Sequence, residues 1–155
     1  MIASAHLVVG AASGLMVQKY LPLQYGILER VAIGFCAGVA SHILTDALPH
    51  QEYTVEGYSL MLVVALEVSA VFWLVFSLNI PTATFLVVFG AMSGAALPDF
   101  FSFVYRHVIQ LPPLAFFSWL FHIYHGELPI GFELSITAQI LIALATILLV
   151  RYKTV

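Results

Sequence analysis

Residues 82–103 read Thr82-Ala-Thr-Phe-Leu-Val-Val-Phe-Gly-Ala-Met-Ser-Gly-Ala-Ala-Leu-Pro-Asp-Phe-Phe-Ser-Phe103, and their single charge is Asp99. About 20 predominantly apolar residues suffice for a helix to cross a hydrocarbon layer. A helix on the surface of a soluble domain would show a charged face opposite its apolar one, and this stretch has none. Comparable runs occur at Val31–Leu48, Ser59–Leu78 and Leu134–Val150, and a shorter one, rich in glycine and alanine, at Ile2–Val17. The short run reads either as a tilted span or as a buried helix. Between the fourth and last runs, Pro112–Gly126 carries Trp119, Tyr124 and several phenylalanines, the composition of an interfacial amphipathic segment. The expected fold is therefore all-α: a polytopic membrane protein of about five transmembrane helices plus one interfacial helix, forming a single domain over residues 1–155.

Composition agrees. Of 155 residues 62% are hydrophobic and 8% charged, whereas soluble domains carry roughly 25% charged residues. The net charge of −3 and the lack of a basic patch set nucleic acid aside as a partner; the expected partner is the lipid bilayer. The lone cysteine, Cys36, allows neither an internal disulfide nor a thiolate cluster, so a metal would have to use imidazole and carboxylate. No positively charged region precedes the first apolar run, which is read as retained rather than cleaved. Placing the N-terminus outside puts Lys19, Arg30, Arg151 and Lys153 inside and leaves Arg106 outside, the distribution that the positive-inside rule favours.

Parity of the spans then matters. His6 opens the first run; His42, Asp46 and His50 close the second; Asp99 closes the fourth; His107, His122 and His125 precede the last. Five crossings bring all of these to one membrane face. Within Ser41-His-Ile-Leu-Thr-Asp-Ala-Leu-Pro-His-Gln-Glu-Tyr53, His42 and Asp46 are four apart, so a helix places both on one face within reach of one ion. His50 lies a further turn on, and Pro49 can turn the chain back towards them. In a soluble helix such a His-x-x-x-Asp pair is as readily a buried hydrogen bond. At membrane depth an ionisable side chain costs several kcal/mol and commonly marks function. Small residues in Gly90–Asp99 and in Gly34, Ala37, Gly38 and Ser41 would let the two parallel spans approach closely, and both end in Ala-Leu-Pro followed by a candidate ligand. His122 and His125, three apart, share a helical face. Candidate ligands are thus His6, His42, Asp46, His50, Asp99, His122 and His125, more than one four-coordinate zinc accepts. Either some stand behind the ligands or two ions bind. Glu52 and Asp99 are the candidate general bases. Glu67, mid-span, is expected to point inward as a partner to a ligating histidine or as a proton relay. Imidazole with carboxylate suits zinc first, with iron or manganese as alternatives.

On His6, the Ser41-His42-x-x-x-Asp46 element and Leu97-Pro98-Asp99, the chain resembles the membrane-bound metal-dependent hydrolases of the LexA-regulated inner-membrane type. It also resembles short membrane proteins with Ser-His-x-x-x-Asp-x-x-Pro-His. The order of the two elements is reversed relative to the hydrolase type, Phe100 and Phe101 stand where that type carries a second acid and a histidine, and its His-Arg-x-x-Thr-His-Ser element is missing unless His122 and His125 replace it. The resemblance implies a bacterial or archaeal cytoplasmic membrane and ligand roles for His42 and Asp46 above all. The leading expectation is a metal-dependent hydrolase acting on a lipid or lipid-linked ester or phosphoester. The rivals are a proton or metal-ion transporter, for which Glu67 is the best support, and a non-catalytic subunit whose histidines ligate haem or pigment.

Overall fold

The computed structural model describes residues 3–22, 24–47 and 57–121. Their regular structure is entirely helical: α1 (Ala3–Tyr20), α2 (Ile27–Asp46), α3 (Gly57–Ser77), α4 (Thr82–His107) and α5 (Pro112–Phe121). Three helices, Ile27–Asp46, Gly57–Ser77 and Thr82–Arg106, are long and apolar enough to cross a membrane. The run at Leu134–Val150 lies outside the described residues. The first run forms α1, about 27 Å long at 1.5 Å per residue. Ala5, His6, Leu7, Val8, Gly10, Ala11 and Gly14 of α1 are buried. It contacts α2, α3 and α4, which fits the buried-helix reading of the run, and the helix extends past it through Gln18 and Lys19.

α4 is the central helix. Val87, Val88, Ala91, Met92 and Ala95 are buried along it, at no more than 1% exposure, and α1, α2 and α5 all pack against it. α2 runs parallel to α4, with Gly34 against Val87, Gly38 against Ala91 and Phe35 against Gly94; α1 runs antiparallel, with Gly10 against Ala95 and Gly14 against Val88. The small residues set these distances. A Cβ on Gly38 would run into the Ala91 carbonyl oxygen and one on Gly94 into that of Phe35. In lipid, where apolar burial gives little net drive for helix association, such backbone-to-backbone packing is the main source of attraction. α3 contributes Val71 and Val75 to a cluster with Leu7, Val8, Ala11, Val88 and Met92, while Tyr58, Leu62, Leu66, Trp73 and Phe76 on α3 are exposed, as a lipid-facing surface would be.

Two departures of the helix boundaries from the apolar runs bear on the site. α2 starts four residues before Val31 because Glu29 reaches back to accept the Gly26 N–H at 2.7 Å, a charged first turn that an apolar criterion excludes. Arg30, placed inside by the distribution of positive charge, is buried. It donates to the carbonyls of Tyr25 and Pro22 and to the Gln18 side chain, tying the α1–α2 connection at the end of the bundle opposite His6. The second difference is a correction. Asp99 does not close its helix: α4 continues through Pro98 to His107. Proline removes one rung of the helical ladder, here the donor to Gly94, but within a bundle neighbouring groups can take over freed backbone positions. The Ala96-Leu97-Pro98 element thus lies inside α4, while Leu48 and Pro49 of its counterpart lie outside the described residues.

The described part of α5, Pro112–Phe121, is about 15 Å long. It lies against α4 through the stacked rings of Phe101 and Phe117, 5.6 Å between centroids, and the hydroxyls of Ser102 and Ser118, 2.9 Å apart, with Phe116 and Trp119 exposed.

Candidate metal centre

Three antiparallel and parallel helices bring four titratable side chains together where α1 begins and α2 ends. α1 supplies His6, α2 supplies His42 and Asp46, and α4 supplies Asp99. The two imidazole rings stack with centroids 4.1 Å apart and planes inclined by 26°, so their Nε2 edges face the same way. Each carboxylate then spans both rings. Asp46 places Oδ1 3.1 Å from His6 Nε2 and Oδ2 3.1 Å from His42 Nε2. Asp99 places Oδ2 3.8 Å from His6 Nε2 and Oδ1 3.9 Å from His42 Nε2. One donor atom from each of His6, His42 and Asp99 lies within 4.8 Å of the others.

The His6, His42 and Asp99 group could hold one small divalent ion. Two donors about 2.1 Å from an ion at the tetrahedral angle lie roughly 3.4 Å apart, and the observed values of 3.1 to 3.9 Å bracket that figure. The outer nitrogens are already committed. His42 Nδ1 lies 2.8 Å from the Ala95 carbonyl oxygen, which can only accept, so Nδ1 carries the proton. His6 Nδ1 lies 3.0 Å from the Thr45 hydroxyl, whose own proton has carbonyl acceptors at Ser41 and His42, each 2.9 Å away. Nε2 of His6 is buried and faces Asp46 Oδ1 at 3.1 Å. A neutral imidazole protonated on Nδ1 turns the Nε2 lone pair towards the carboxylates, an arrangement that a cation between them stabilises.

Burial divides the four. The side chains of His6, His42 and Asp46 are 1%, 0% and 3% exposed, and that of Asp99 is 41% exposed. The centre is therefore closed on the side of α1 and α2 and open at Asp99. Glu67, expected to point inward as a partner to a ligating histidine or as a proton relay, accepts the Ser4 N–H at 3.0 Å. The first turn of a helix offers amides without intrahelical acceptors and the positive end of the helix dipole, and those hold the mid-span carboxylate. It thereby anchors the N-terminus of the helix that bears His6.

Of the expected ligands, His6, His42, Asp46 and Asp99 converge; His50, His122, His125 and the candidate base Glu52 lie outside the described residues. His107 ends α4, eight residues beyond Asp99. Thr45 and the Ala95 carbonyl were not anticipated. Thr45 could have been noticed at i+3 from His42, whereas a main-chain acceptor leaves no trace in residue types. Comparison with known proteins finds no matching family model, no similar curated protein and no similar solved structure.

Proposed function

We propose that the protein is a metal-dependent hydrolase of the membrane face, with His6, His42, Asp46 and Asp99 surrounding one divalent ion, zinc in the first instance. The observation that carries this reading is the double bridging: two carboxylates, from different helices, each spanning the same pair of imidazole Nε2 atoms. A bound ion of this kind lowers the pKa of a coordinated water to about 7 and polarises an ester or phosphoester. Asp46, enclosed, fits a permanent ligand. Asp99, exposed and farther from both rings, fits the carboxylate that takes the proton of the attacking water.

Depth supports a lipid or lipid-linked substrate. Counted from the starts of α2 and α4, Asp46 and Asp99 lie about 29 and 26 Å along their helices, near the far boundary of a hydrocarbon layer about 30 Å thick. Phe100, next to the open carboxylate, is exposed, so an apolar surface flanks the approach to the centre. With the N-terminus outside, as the placement of Lys19 and Arg30 at the opposite end argues, the centre opens on the outer side of a bacterial or archaeal cytoplasmic membrane.

A second reading rests on the donor count. Four protein donors can complete a tetrahedral zinc shell, as structural sites do, and the ion would then serve to join three helices. One experiment separates these readings: elemental analysis of protein purified in detergent without chelator, beside His42→Ala and Asp46→Ala, with hydrolysis of ester and phosphoester lipids assayed on the same samples. Near-stoichiometric metal in the wild type, lost at least tenfold in both variants, together with variant-sensitive hydrolysis, is expected. Metal-free wild type defeats both readings, and metal without hydrolysis leaves the structural one.

A further inference from the structure

The two histidines of the centre are held by different kinds of group. His42 gives its Nδ1 proton to a main-chain carbonyl, that of Ala95, which no side-chain substitution removes. His6 depends on a side chain, the Thr45 hydroxyl, 3.0 Å from its Nδ1 and 6% exposed as a residue. A hydroxyl has one proton and two lone pairs. That proton has acceptors on α2 itself, the carbonyl oxygens of Ser41 and His42 at 2.9 Å, so the lone pairs are left for the imidazole. Thr45 can therefore receive the Nδ1 proton of His6, and Nε2 is then the nitrogen that carries the free lone pair.

We propose that Thr45 is the positioning residue that makes His6 an Nε2 ligand: it accepts Nδ1–H across the α1–α2 interface and passes its own proton into the α2 backbone. This rests on the metal reading above and adds a residue to it. Without the acceptor, His6 can carry its proton on Nε2 and turn a donor towards the site, or rotate in its pocket. Outer hydrogen-bond partners of metal-bound histidines typically carry 10–100-fold in metal affinity. Because the contact joins α1 to α2, it also sets how His6 is presented to two carboxylates that belong to other helices.

The test uses full-length protein in detergent, labelled with nitrogen-15 at histidine, as wild type, Thr45→Ser and Thr45→Val, with His6→Ala to assign the resonances. Zinc alone is the probe. The expected result is zinc affinity about 10–100-fold weaker for T45V and near wild type for T45S, with His6 in the zinc-bound wild type protonated on Nδ1 and ligated through Nε2. A T45V affinity within about twofold of wild type, or ligation of His6 through Nδ1, overturns the proposal while leaving the metal reading standing. Wild-type protein that takes up no zinc defeats the metal reading and the ligand assignment with it. Should T45V fail to fold, the nitrogen-15 pattern of the wild type and the T45S affinity still decide: Nε2-protonated His6, or a tenfold loss in T45S, overturns the proposal.

Discussion

Asp46 and Asp99 carry the same functional group into different surroundings, and the difference predicts different mutant behaviour. Asp46 is enclosed with two imidazole Nε2 atoms at 3.1 Å, so Asp46→Asn removes charge where water cannot compensate. Titration with zinc should show affinity reduced well over tenfold, and thermal unfolding should show a lower Tm. Asp99→Asn alters a carboxylate whose side chain is 41% exposed and at least 3.8 Å from either ring. Its fold and most of its metal affinity should survive while hydrolysis is lost; equal loss of metal in both variants would show that the carboxylates share one role. The sign of the pH dependence follows from the ligand types. Imidazole and carboxylate bind a metal only when deprotonated, so protons compete with the ion and binding tightens as pH rises. Zinc affinity should be higher at about pH 8 than at about pH 6 and should approach pH independence in a His6→Ala, His42→Ala double variant.

Among the elements, the α2–α4 contact is where substitution should cost most. Gly38 faces the Ala91 carbonyl so closely that a β-carbon has no room. Gly38→Leu must therefore separate the helices, at about 1–3 kcal/mol or more, and carry His42 away from the Ala95 carbonyl. Leu44, on the same helix but 71% exposed, is the control: Leu44→Ala should change stability by about 0.5 kcal/mol or less. Thermal unfolding in one detergent compares the two, and equal effects would mean that α2 and α4 do not meet through this face. Sequence pattern makes this contact readable because glycine and alanine at intervals of three and four have few other uses in a span. The course of α4 beyond Pro98 is not readable in the same way. Proline disfavours a helix locally, and what offsets that is contact with α1, α2 and α5, which composition does not encode.

At the scale of the whole molecule, convergence of His6, His42, Asp46 and Asp99 was legible from helix parity, because antiparallel neighbours return alternate ends to one face. It does not depend on knowing how many further spans follow. Glu67 was legible as inward-facing but not as the acceptor for α1, since a helix N-terminus is a property of backbone geometry rather than of residue identity. The three-helix origin of the site carries a thermodynamic expectation. An ion that binds the assembled bundle and not its separated helices stabilises it by RT ln(1 + [L]/Kd), about 2.7 kcal/mol at a hundredfold excess over Kd. Zinc should raise the Tm of the wild type in a concentration-dependent way and leave that of Asp46→Asn nearly unchanged; equal shifts in both would point to binding elsewhere.

His6 lies 39 residues before Thr45, and His42 lies 53 residues before Ala95. During synthesis, α1 therefore emerges long before anything that can receive its histidine. It is the least apolar of the four long helices among the described residues, and of its neighbours α2 follows directly whereas α4 arrives only after α3. The seating of α1 against α4 is therefore expected late in biogenesis, when α4 delivers Asp99 and the Ala95 carbonyl. A chain that stops before α4 carries His6, His42 and Asp46 but lacks both Asp99 and the Ala95 carbonyl, so the centre is complete only when α4 is in place.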